Sequence, residues 1–161
     1  MSGSCEGGGG KTPVVYRGRV YVRDEYFGQT NADILDARTG DWVGGFNADR
    51  PPAFVGNVGL YMSAGTLTAN DLGTGQILWS FAGDGTLASA PIVVNGYVYV
   101  GATSGKLYAL NGRGHIAWST NVGSSILAPD EQNVSQPLTG LGVGGGLLVV
   151  PAGTALVAYG D

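Results

Sequence analysis

The stretch LTANDLGTGQILWSF, residues 67–81, decides the fold. A short apolar run enters the polar turn Asp71-Leu72-Gly73-Thr74-Gly75, and a second apolar run leaves it carrying Trp79. Asp and Thr side chains satisfy backbone N–H groups in such a turn, and glycine admits the geometry of a tight reversal. Two runs so joined read as antiparallel strands. A large ring just beyond the turn suits packing against a neighbouring element, with its N–H on a backbone acceptor.

The phrase recurs. It reads ADILDARTG at 32–40, LYALNGRG at 107–114 and LVAYGD at 156–161, where the turn is cut short. Each copy follows a Pro-led apolar run: PVVYRGRVYVRD from Pro13, PAFVGNVGLYMSAG from Pro52, PIVVNGYVYVGATSG from Pro91 and PLTGLGVGGGLLVVPAG from Pro137. In the third unit four β-like runs are visible: Pro91–Val94, Tyr97–Ala102, Lys106–Asn111 and His115–Thr120. YVYVGA and KLYAL alternate as two-faced strands do, and no window has a helical period. Four strands per unit of roughly 40 residues is the spacing of a β-propeller blade. The expected fold is all-β: a β-propeller of about four four-stranded antiparallel blades, the last incomplete. The blades span about 13–46, 52–81, 91–120 and 137–161, behind a flexible Gly-rich lead-in at 1–12.

Composition agrees. The chain has 161 residues, long enough for a buried core. Charged residues are 12% of it, about half the roughly 25% usual in soluble domains, and they crowd into the first fifty residues. The 30 glycines follow no Gly-X-Y period and read as turns. The net charge is −4, and beyond Pro51 the only basic residues are Lys106 and Arg113. No basic stripe neutralises phosphates, so nucleic-acid binding is set aside. No apolar run has the length of a membrane-spanning helix. Cys5 is the only cysteine, so no internal disulfide or Cys-based metal site forms. Residues 1–10 lack an apolar targeting core; SGSCEGGGG reads as a lead-in rather than a lipid-anchor site.

The units resemble the repeats of the pyrroloquinoline-quinone-type (PQQ-like) β-propellers. That family's tryptophan-docking pattern is a small residue, an Asp or Asn, a Thr-Gly turn and a Trp at fixed offsets. Here it is Ala69, Asp71, Thr74, Gly75 and Trp79, then Ala109, Asn111, Gly114 and Trp118 with one turn residue deleted. In the first unit Ile34, Asp36, Thr39 and Gly40 match, but Gly44 stands where Trp belongs and Trp42 comes two positions early. The resemblance covers 13–161. Because such propellers usually have six to eight blades, it is to the C-terminal half of a longer one.

A four-stranded meander alternates its connections between two ends. The end away from the Thr-Gly turns gathers 24–31, 47–51, 63–66, 82–90, 103–105 and 121–136. Propellers of the resembled family commonly hold ligands there. The longest connection carries Asp130, Glu131, Gln132, Asn133 and Gln136, and the first carries Asp24, Glu25 and Tyr26. Convergent polar groups on a loop suit a cation or polar ligand, although adjacent carboxylates alone define no coordination shell, and a solvated loop explains them as well. Asn133-Val134-Ser135 matches a glycosylation acceptor, a weak signal. His115 follows a turn at the opposite end with no nucleophile or carboxylate beside it in sequence.

The functional expectation is a non-catalytic propeller module that binds or scaffolds, with no cofactor, outside the cytoplasm by resemblance. The reading leans against catalysis because no nucleophile–base pair or metal cluster is visible. The alternative is a fragment of a quinoprotein-type alcohol or sugar dehydrogenase, for which the resemblance implies PQQ and calcium. The missing adjacent cysteine pair and the tryptophans' place away from the ligand end count against it. A third reading leaves function to blades outside this chain. Open edges and apolar faces favour association, so a homodimer is expected, with a protein or small polar ligand as further partner. Four units closing alone, two chains pairing to eight blades, or less regular stacking all remain open.

Overall fold

The computed structural model describes residues 11–26, 29–129 and 140–160, with 24–26 and 29–31 as backbone only. Its strands form four antiparallel meanders in chain order. The first is β1 (Val14–Tyr16), β2 (Arg19–Tyr26), β3 (Gln29–Asp36) and β4 (Trp42–Gly45). The second is β5 (Ala53–Val55), β6 (Val58–Ser63), β7 (Thr66–Asp71) and β8 (Ile77–Phe81). The third is β9 (Ile92–Val94), β10 (Tyr97–Gly101), β11 (Lys106–Leu110) and β12 (Ile116–Asn121). The fourth has β13 (Gly142–Gly144), β14 (Leu147–Ala152) and β15 (Ala155–Tyr159), with β15 at its edge. The all-β, bladed fold expected from the repeats is the fold observed. No helix among the described residues is long and apolar enough to cross a membrane.

The repeated turn explains the repeated sheet. The Asp71 carboxylate accepts from the Gly73 and Thr74 N–H groups at 2.9 and 2.8 Å and from the Thr74 hydroxyl at 3.1 Å. Asp36 accepts from Arg38 and Thr39 at 2.9 and 3.1 Å, and Asn111 from Arg113 and His115 at 2.9 and 3.1 Å. Gly40, Gly75 and Gly114 close these turns at φ of 78, 74 and 77°, which L side chains rarely adopt. Just beyond each turn the last pair of strands carries a bulge, between Ile34 and Leu35, Ala69 and Asn70, and Ala109 and Leu110. A bulge at one place in three sheets aims the next outer-strand side chain identically each time.

The core lies in the seams between sheets. Leu60, Met62, Leu67 and Ala69 of the second sheet bury against Val98, Val100, Tyr108 and Leu110 of the third. Leu107 of the third and Leu148, Val150 and Ala152 of the fourth bury around Ile126, from the connection between those two sheets. Alternation dictates this: β14 buries every second residue, Leu148, Val150 and Ala152. Between the first two sheets the contact is aromatic, with Tyr16 stacked on Phe54 at 4.8 Å and Phe54 tilted on Tyr21 at 4.4 Å.

One connection is shorter than the sequence reading has it. Residues 24–26 and 29–31 are strand, with Asp24 opposite Asn31, Glu25 opposite Thr30 and Tyr26 opposite Gln29. Their polar pattern carries no period-2 signal, and the ladder forms because it pairs the backbone.

Candidate functional site

Three seams separate the four sheets, and they are not equally filled. In the seam between the second and third sheets, Trp79 on β8 stands opposite Ala69 and reaches across to the next sheet. Its indole N–H donates to the Gly112 carbonyl at 3.1 Å. Its ring lies on the Gly114 turn so closely that a Cβ there would meet the ring at 2.6 Å. Phe81 meets Tyr108 edge-on at 5.2 Å behind it.

In the seam between the third and fourth sheets, Trp118 on β12 stands opposite Ala109 and meets Tyr159 edge-on at 5.4 Å. A cavity of about 500 Å³ remains there, lined by Tyr99, Trp118, Leu148 and Tyr159 among others.

The seam between the first and second sheets holds the candidate site. On β4, Gly44 stands opposite Ile34, the place that Trp79 and Trp118 take in their sheets. Trp42 pairs with Leu35 instead, as Ile77 pairs with Asn70 and Ile116 with Leu110. All three of these outer positions are exposed, and the Trp42 indole bonds its own sheet at Asp33, 2.9 Å away. A groove of about 490 Å³ is left, within the roughly 300–1,000 Å³ of ligand sites. Tyr21, Ile34 and Phe46 line it from the first sheet; Tyr61, Thr68 and Asn70 line it from the second.

The one charged group that lines the groove is the Asp71 carboxylate, at its turn end. Burial pushes the Tyr61 phenol up, and the neighbouring Tyr21 pushes it further. Burial also raises Tyr21, opposed by its hydrogen bond with Tyr61. Both are neutral hydroxyls over the physiological range. The Asn70 Oδ1 is buried without a hydrogen-bond partner, while its amide N–H reaches the Gly75 carbonyl at 3.5 Å.

Of the residues singled out from sequence, the structure describes the side chains of those in the turns and seams. Asp130, Glu131, Asn133 and Gln136 lie outside the described residues. Asp24 and Glu25 fall within β2, and their side chains are likewise not described. Asp36, Asp71, Thr74, Gly75, Asn111 and Gly114 build turns. Exposed His115 only closes the Asn111 turn, through its backbone. Among the described residues no three His, Cys, Asp or Glu side chains gather to hold a metal. All three tryptophans sit on outermost strands, in the contacts above.

Sequence reasoning missed two features. Arg23 is buried to 2% exposure, its guanidinium donating to the Asp49 and Thr12 carbonyls at 3.2 and 3.4 Å. Asp84 accepts from the Thr86 and Ser104 hydroxyls, tying the β8–β9 connection to the β10–β11 hairpin. The Ser104 bond is the largest cause that holds the Asp84 carboxyl below its usual range. Neither has a local motif; both depend on which loops meet.

A family model described as outer membrane protein assembly factor BamB matches residues 33–160. Among solved structures, BamB from Moraxella catarrhalis superposes with a TM-score of 0.69 at 18% identity, over 92% of this chain and 41% of that one. The computationally designed Ika8 protein gives 0.66 at 17% identity, over 92% of this chain and 45% of that one. The designed Ika4 protein gives 0.69 at 16% identity, over 99% of this chain and 94% of that one. No curated protein matches the sequence. The chain thus spans less than half of BamB and of Ika8, and nearly all of Ika4. With four bladed meanders and a family match over 33–160, the chain belongs to the PQQ-like propeller family described as outer membrane protein assembly factor BamB.

Proposed function

We propose that this chain is a non-catalytic propeller module that binds protein, outside the cytoplasm, and that it does so as a homodimer. The observation that carries the reading is a pair of sheet faces, at the two ends of the array, that the described residues leave uncovered. On the last sheet Val149, Pro151, Leu156 and Ala158 share the face turned away from the core, and Leu156 is 73% exposed. On the first, Val15 and Trp42 are each 66% exposed. Apolar faces of this kind mark interaction sites. A second copy supplies four further sheets to meet these faces. Family membership supports a role in assembly rather than turnover.

Light scattering tests the pairing. A solution mass of twice 16.4 kDa is expected; a 16.4 kDa species at all concentrations overturns the homodimer. Titration with the quinone and calcium, followed by absorbance, tests the alternative. No saturable spectral change is expected, and one would replace this reading with the dehydrogenase.

A further inference from the structure

The seam between the first two sheets departs from its neighbour at three places at once. Where the second sheet sends Trp79 across, the first has Gly44. Where the third sheet offers Tyr108 and Leu110, the second offers Thr68 and Asn70, by the shared register of β7 and β11. Three large side chains are replaced by smaller ones, partly offset by Tyr61 at the place of Val100, and a groove of about 490 Å³ remains. The clearest sign is at the turn glycines. A Cβ at Gly114 would strike the Trp79 ring at 2.6 Å, whereas one at Gly75 would meet nothing within 4 Å. The floor for a ring is present and the ring is not.

We propose that this groove is a docking slot for a tryptophan side chain carried by a partner polypeptide. The neighbouring seam states the chemistry: an indole lies on the turn glycine and its N–H donates to a nearby acceptor. Here Phe46, Tyr61, Ile34 and Ile77 supply ring contacts. The buried Asn70 Oδ1 is an acceptor that lacks a donor, and an N–H arriving with the ring satisfies it. The groove runs from Ser63 and Thr66 at one end of the sheet to Leu72 and Gly75 at the other. That length accommodates chain on both sides of the ring, which favours a polypeptide over a free indole. The slot gives the binding reading a partner chemistry and rests on it. Failure of the slot leaves the solution mass unchanged, so the two readings fail separately.

The experiment uses the whole chain and the capped peptide Gly-Gly-Trp-Gly-Gly with 5-fluorotryptophan, observed by fluorine NMR. Saturable broadening is expected, weaker by tenfold or more for Gly44→Trp, which supplies the ring in cis and raises the melting temperature. Thr68→Tyr with Asn70→Leu rebuilds the neighbouring seam's walls and is expected to weaken binding likewise. It carries the test where Gly44→Trp does not fold. Free 5-fluoroindole is expected to bind several-fold more weakly than the peptide. Absence of saturable binding, or equal binding by wild type and the filled variants, overturns the slot. Indole binding as tight as peptide binding overturns the polypeptide partner.

Discussion

At the residue scale Trp79 joins two sheets by one hydrogen bond and one ring face. Trp79→Phe keeps most of the ring and loses the bond to Gly112, a cost of about 1 kcal/mol. Trp79→Ala also opens a cavity, and about 3 kcal/mol is expected for a half-buried ring, read by urea unfolding. Gly114→Ala and Gly75→Ala separate the ring contact from backbone strain. Both residues have positive φ, so each alanine costs roughly 1–2 kcal/mol for the left-handed region. Only Gly114→Ala also drives a methyl into the Trp79 ring, so it is the more destabilising of the two. The offset between turn and Trp was legible because both lie on one short hairpin. Gly44 was legible as a missing Trp, but not as a cavity. The size of that gap also depends on Thr68 and Asn70 in another sheet, and sequence spacing does not say which strands of two sheets face each other.

At the element scale the β3–β4, β7–β8 and β11–β12 turns share one hydrogen-bond plan with different titration behaviour. The backbone N–H of Thr74, then its hydroxyl and the Asn57 amide, hold the Asp71 carboxyl below its ordinary 3.8. The backbone N–H groups of Arg38 and Thr39 do the same for Asp36, with Arg19 adding a smaller part. A carboxyl lowered in the folded state contributes stability above its unfolded value and loses it as pH falls toward the folded one. Unfolding free energy is therefore expected to fall below about pH 4 and to be flat from there to about pH 9. Asn111 caps its turn, one residue shorter, without a charge. Asp71→Asn is thus expected to keep the fold at pH 7 and to shrink the acid loss, measured by urea titrations at pH 3 and 7. A shared plan is why the hairpins were readable one unit at a time. The β2–β3 hairpin was read too short because its outer pairs, Asp24 with Asn31 and Glu25 with Thr30, carry no apolar signal.

At the scale of the whole molecule the question is what covers the end faces. Interior seams bury alternate residues of both sheets, as Leu148, Val150 and Ala152 show on the inner face of β14. The opposite face of that sheet has the same apolar character and no neighbour among the described residues, with Leu156 the most exposed of its side chains. Burying one such leucine contributes about 1.5–3 kcal/mol, so Leu156 makes the largest single contribution to a contact through this face. Leu156→Asp places a charge at the centre of that contact while leaving the inner face of β15, Val157 and Tyr159, untouched. A charge buried without a partner costs far more than the leucine contributed. The variant is expected to sediment at 16.4 kDa under conditions where the wild type has twice that mass, with an unchanged far-ultraviolet circular dichroism spectrum. Should Leu156→Asp leave the mass of the wild type unaltered, the pairing does not run through β15, and the exposed Val15 and Trp42 of the first sheet would have to meet their own copies instead.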